Sequence, residues 1–308
     1  MPELTPLITC CIIVLGGAIG FLSGLFGVGG GFLLTPMLNI AFGVPMQIAI
    51  GSSLCQMIGT AATATIRHWK DSAVDVKLAL LMLGGMIGGV EVGARLLEKL
   101  EQLGNVSILG RDVEWVWLIP MSIFVVLLLV IGIGTLKESL STHRTAKGGG
   151  EVVRRVGRGL FNRIPIPPMA ALAGTEGRAV PLIPVVCLSF GIGITQGFLG
   201  LGGGIVIVPT LIYWVGCSTR AAVGTSLLLI VAGAIAGTVS HALRDNVSLT
   251  LVVLLLTSST VGAYLGAMVH HRLKAYHIRL YLSFVLFAAL LVILIKMVLV
   301  KFGVASGR

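Results

Sequence analysis

Charge is what this sequence has least of. Only 11% of its 308 residues are charged, 22 basic and 12 acidic, where a soluble domain carries roughly 25%. Residues 4–66 contain no Asp, Glu, Lys or Arg, and residues 179–219 form a second such stretch. So few charges cannot cover a water-exposed surface of this size, which excludes a soluble globular protein. Cys10, Cys11, Cys55, Cys187 and Cys217 are odd in number and show no CxxC or metal-ligand spacing, so they read as small apolar packing residues and no metal site is expected. HExxH, GxSxG and paired intramembrane carboxylates with a base are all missing. These absences argue against a membrane-embedded enzyme and call for no cofactor.

What is present is apolar sequence, 56% of the chain. Hydrocarbon offers no water to satisfy N–H and C=O groups, so spanning segments must be helices or closed barrels. The long continuous runs lack the alternation of barrel strands. The fold class expected is therefore an all-α polytopic membrane protein whose first partner is the lipid bilayer. At 1.5 Å per residue, runs able to cross a roughly 30 Å core lie near 7–26, 46–66, 76–97, 115–136, 181–199, 218–240, 248–270 and 279–300. Two further apolar pieces, 32–43 and 205–216, are too short for a full crossing and read as broken or re-entrant helices. Met1–Thr9 has no basic region or cleavage site, so it reads as the start of a retained first helix.

Basic residues concentrate between the two halves. Lys137, Arg144, Lys147, Arg154, Arg155, Arg158, Arg163 and Arg178 face only Glu138, Glu151 and Glu176. With Gly148–Gly150, Pro165, Pro167 and Pro168, residues 137–180 read as a mobile cytoplasmic linker that fixes topology near anionic lipid. The net charge of +10 therefore does not imply nucleic acid. The linker divides the chain into a first membrane repeat, 1–136, and a second, 181–308.

Those repeats share a register. An offset of 173 carries Gly20, Gly24, Gly29, Gly30 and Gly31 onto Gly193, Gly197, Gly202, Gly203 and Gly204, and also Pro36 to Pro209, Ser53 to Ser226 and His68 to His241. Agreement between glycines, prolines and a histidine points to duplication, the construction of secondary transporters. Basic-residue counting places 15 of 22 on the cytoplasmic side whether or not the short pieces cross, so it does not choose between inverted and parallel repeats. Inversion is favoured because it puts His270, His271, Arg272, Lys274, His277 and Arg279 inside the cell.

The candidate site follows from Gly27-Val28-Gly29-Gly30-Gly31 and its counterpart Gly200-Leu201-Gly202-Gly203-Gly204. Glycine runs in lipid expose backbone amides, which is tolerable only beside protein or a water-filled cavity. Each break starts a new helix, whose free N–H groups and partial positive charge suit a small anion. The competing reading is that these glycines merely allow close helix packing. Neither run fits GxGxxG, because Phe32 and Ile205 stand where the last glycine should be. Ser52 and Ser53, and their counterparts Thr225 and Ser226, offer hydroxyls to an anion or else to nearby carbonyls. Gln56, Thr195 and Gln196 are further cavity candidates. Glu91 is the acidic residue well inside a span, a candidate for coupling, although Arg95 four residues on makes a local ion pair the simpler reading. His68 and His241 are expected at the membrane surface as anchors or gate residues. Steps such as Gly20 to Gly24 and Gly85 to Gly89 should be tight helix crossings, within one chain or between two, which leaves a homodimer open.

The doubled Gly-x-Gly-Gly-Gly followed five residues later by Pro, with Ala222–Ser226 in the second half, resembles the sulfite exporter TauE/SafE family. Gly51-Ser52-Ser53 departs mildly from the Gly-Thr-Ser version, and the linker looks longer than the resemblance needs. The resemblance implies a permease for sulfite, sulfonates or related organosulfur anions in the cell (inner) membrane. It fixes neither the substrate nor the direction of transport.

Overall fold

The computed structural model describes residues 5–26, 28–69, 74–108, 111–147, 160–163, 167–171, 173–175, 179–270 and 275–302. Gly27, much of the linker, the basic residues 271–274 and the side chain of His68 lie outside the described residues. Ten helices follow in order: α1 (Pro6–Phe26), α2 (Gly31–Phe42), α3 (Met46–Trp69), α4 (Val76–Gln102), α5 (Trp115–Lys147), α6 (Leu182–Leu199), α7 (Gly204–Thr210), α8 (Thr219–Ala242), α9 (Leu249–His270) and α10 (Ala275–Phe302). A π turn, Leu211–Val215, prolongs α7 into a short apolar rod. Two small antiparallel hairpins join the helices, β1 (Asn105–Ile108) with β2 (Arg111–Glu114) and β3 (Met169–Ala171) with β4 (Ala179–Pro181). Helix α5 runs eleven residues past the expected boundary at 136, to Lys147, so the first part of the expected linker is helical.

Among the described residues, seven helices are long and apolar enough to cross a membrane, one fewer than the eight full spans expected. Helix α3 is the difference. It is 24 residues long, but Gln47, Ser52, Ser53, Gln56, Thr60 and Thr65 dilute its hydropathy, and all six are buried against protein.

The two halves are interlocked. Helix α1 packs on α9, and α4 packs on α6, so each of these helices finds its main partner in the other half. The seams are made of backbone against backbone. A Cβ added to Gly20 or Gly24 would overlap the carbonyl oxygens of Ser259 and Ala263, and one added to Gly89 or Gly93 would overlap those of Phe190 and Ile194. Small residues permit such approach where lipid gives no hydrophobic drive to association. The glycine steps therefore serve crossings inside one chain.

Helix directions follow from the same contacts. Gly16, Gly20 and Gly24 meet Leu255, Ser259 and Ala263 in rising order, so α1 and α9 run parallel. Gly51 meets His241 while Gly237 meets Leu54, so the counterpart helices α3 and α8 run antiparallel. The counterparts α5 and α10 do the same, with Gly132 beside Phe287 and Thr135 bonded to Ser283 at 3.0 Å. Counterparts that oppose each other are the arrangement expected of an inverted repeat.

Candidate functional site

Backbone conformation explains the glycine runs. Gly29 has φ 70°, and Gly200, Gly202 and Gly203 have φ 68°, 71° and 71°. A side chain in this left-handed region places Cβ too close to the following carbonyl, a cost of roughly 1–2 kcal/mol per residue. The breaks are not copies of one another. Gly30 is right-handed at φ −31°, whereas its counterpart Gly203 is left-handed.

The breaks touch. A Cβ on Gly31 would overlap the Gly200 carbonyl, and one on Gly204 would overlap the Val28 carbonyl. Two side chains that sequence reasoning missed cover the junction. The Met57 sulfur would lie 2.7 Å from a Cβ on Gly31 and also borders Gly202. Its counterpart by the 173 offset, Ile230, would lie 2.6 Å from a Cβ on Gly204 and 3.3 Å from one on Gly29. The only signal that could have found this pair is their shared place in the repeat.

Polar groups around the junction fall into two sets. Hydroxyls are engaged within the protein. Ser52 Oγ accepts from Ser248 N at 3.1 Å and Thr225 Oγ1 accepts from Asp75 N at 3.0 Å, so each half holds the start of a helix in the other half. Ser53 Oγ pairs with Thr35 Oγ1 at 2.7 Å and donates to the Ile50 carbonyl, while Ser226 and Thr195 donate to the carbonyls of Val223 and Ile192. Carboxamides are not engaged: Gln56 and Gln196 are fully buried, and neither end of either side chain has a partner. Such orphans are costly, commonly about 1–3 kcal/mol each, and so invite a ligand.

The symmetric pair of helix anchors gives a direct test. Ser52→Val and Thr225→Val each leave a buried N–H unpaired, and each is expected to cost about 1–3 kcal/mol, read as similar falls in melting temperature in detergent. A fall in one variant and none in the other would break the proposed equivalence of the halves.

Glu91 and His241 lie elsewhere. Glu91 Oε1 binds Arg95 Nε and Arg244 Nη2, each at 2.8 Å, and Glu91 Oε2 accepts from Ser240 at 2.6 Å. Arg244 also binds Glu98 at 2.8 Å. The local pair expected with Arg95 is thus part of a larger cluster tying α4 to α8 at the face opposite the linker. His241 is not the surface anchor expected from its place near a helix end. It is fully buried, with Nε2 2.8 Å from the Gly197 carbonyl, because α8 ends against the seam of α4 and α6. His68 is placed near the end of α3. The structure thus brings together Gly29, Gly30, Gly31, Gly202, Gly203 and Gly204, and leaves Glu91 outside that junction.

A family model described as Sulfite exporter TauE/SafE matches residues 12–293. The chain is 26% identical over 270 residues to the probable membrane transporter protein YunE of Bacillus subtilis, covering 85% of this chain and 89% of that one. It is 24% identical over 256 residues to the probable membrane transporter protein YdhB of the same organism, covering 83% and 88%. A probable membrane transporter protein of Xylella fastidiosa is 27% identical over 270 residues, covering 84% of each chain. No solved structure matches.

Proposed function

The chain belongs to the sulfite exporter TauE/SafE family, and from that premise we propose that it exchanges a small organosulfur anion, such as sulfite or a sulfonate, by alternating access around the crossed glycine breaks. At the coarser level it is a multi-pass membrane transporter. The observation that carries the finer reading is the meeting of two interrupted helices in a chain that also buries two carboxamides without partners. Backbone N–H groups at helix starts bring partial positive charge without a fixed cation. Uncharged donors hold an oxyanion while letting it leave. Met57 and Ile230 lie over the junction and must shift for a ligand to enter or depart. Rearrangement of one repeat against the other supplies that shift.

Proteoliposomes loaded with unlabelled sulfite or methanesulfonate should accumulate the labelled anion above equilibrium by counterflow. Equilibration without overshoot would indicate a channel. Absence of flux for both anions would remove the substrate assignment.

A further inference from the structure

The junction is symmetric in outline but not in its hydrogen bonding. In the first half, Gly30 N donates to Ser23 Oγ at 3.0 Å and Gly31 N donates to the Gly29 carbonyl at 2.6 Å. Their counterparts differ: among the described residues, the N–H groups of Gly203 and Gly204 have no hydrogen-bond partner. The residue that occupies the position of Ser23 in the second half is Gln196, which does not close that break. Instead its carboxamide lies against Gly233 on α8, where a Cβ would overlap Oε1. Gln56, the other orphan, has Leu229 as its counterpart, so the two carboxamides come from unrelated positions of the repeat.

We propose that the anion is held off the pseudo-symmetry axis, in the second half, and that Gln196 is the residue that reads it. The assignment rests on the transport reading above. Gln196 Nε2 and the N–H groups of Gly203 and Gly204 supply the donors there. A lone buried carboxamide with both ends open accepts from a protonated oxygen as readily as it donates to a bare one. In the first half Ser23 Oγ takes the Gly30 N–H and the Gly29 carbonyl takes that of Gly31, so the first break offers fewer open donors than the second. The left-handed backbone at Gly203 turns the second break away from the arrangement that Ser23 stabilises in the first.

Gln196→Glu and Gln56→Glu keep side-chain shape and add a titratable carboxylate. Methanesulfonate keeps one negative charge at any working pH, so counterflow of the labelled anion isolates the side chain. At about pH 8, Gln196→Glu should reduce flux at least about tenfold more than Gln56→Glu does, because like charges facing each other cost several kcal/mol. Burial at position 196 raises the pKa of the new carboxyl, so acidification to about pH 5 should protonate it and restore much of the Gln196→Glu flux. Equal penalties for the two variants, or a loss at position 196 that pH does not relieve, would overturn the assignment. If the glutamate at 196 prevents folding, Gln196→Met and Gln56→Met carry the comparison through KM, with a larger rise expected at 196. No flux in the wild-type protein overturns the transport reading, and this assignment with it.

Discussion

Leucine at Gly31 or at Gly204 is expected to abolish counterflow. A Cβ at Gly31 already overlaps the Gly200 carbonyl, and the Met57 sulfur would stand 2.7 Å away. At Gly204 the obstacles are the Val28 carbonyl and the Ile230 Cδ1, the latter at 2.6 Å. Two of the four obstacles are backbone, which cannot rotate aside, so the breaks must separate. Overpacking of this kind costs about 3 kcal/mol, and 1.4 kcal/mol is a factor of ten, so flux should fall about a hundredfold. Both positions should suffer alike, since each break supplies the carbonyl that the other presses on. Gly84→Ala is the control, because a Cβ there meets nothing within 4 Å and alanine in a helix is roughly 1 kcal/mol better than glycine. Melting in detergent separates loss of transport from loss of fold. A variant that melts like the wild type yet exchanges the anion at an undiminished rate would show that the crossing of the breaks is not the route of the substrate.

Much of this arrangement was legible in the sequence, and the reasons for what was not are physical. Apolar runs placed eight helices and the two short pieces to within a few residues at most of their ends, because such runs and glycine interruptions are local signals, although α5 continues to Lys147. Basic residues count equally under both topologies, so the chain favoured inversion only weakly; the opposed directions of α3 and α8, where Gly51 meets His241 and Gly237 meets Leu54, lie in the packing. Ser52 and Thr225 were recognised as a repeated pair. Their partners, Ser248 and Asp75, are equivalent to each other and lie in opposite halves, information that resides in the interlock and not along the chain. Gln196 could be named as a cavity candidate, but that its buried carboxamide lies against Gly233 without a hydrogen-bond partner is a feature of the packing and not of the chain. His241 misled because proximity to a helix end is a poor guide to depth when that end is covered by α4 and α6.

The interlock itself predicts the largest loss of stability. Gly24 on α1 and Gly197 on α6 are counterparts, and a Cβ on either would overlap a carbonyl oxygen across its seam, that of Ala263 or of Val90. Valine at Gly24 or at Gly197 forces two helices apart along a contact that joins one half of the chain to the other. The cost of each should reach about 3 kcal/mol, and because the seams are separate the double variant should lose about 6 kcal/mol. Against a total stability of about 5–15 kcal/mol, that is enough to leave little folded protein after extraction into detergent. The expected readout is a lowered melting temperature for each single variant and aggregation of the double one on gel filtration. Gly17 and Gly88, which face the same seams with only a 3.8 Å contact to the Ser258 carbonyl and a 3.6 Å contact to the Phe190 ring, should accept alanine with little change. That contrast matters, because lipid supplies no hydrophobic drive for helices to associate and only close approach is left to hold them. If Gly24→Val and Gly197→Val melted no lower than Gly17→Ala and Gly88→Ala, the two halves would have to be held together by something other than these backbone contacts.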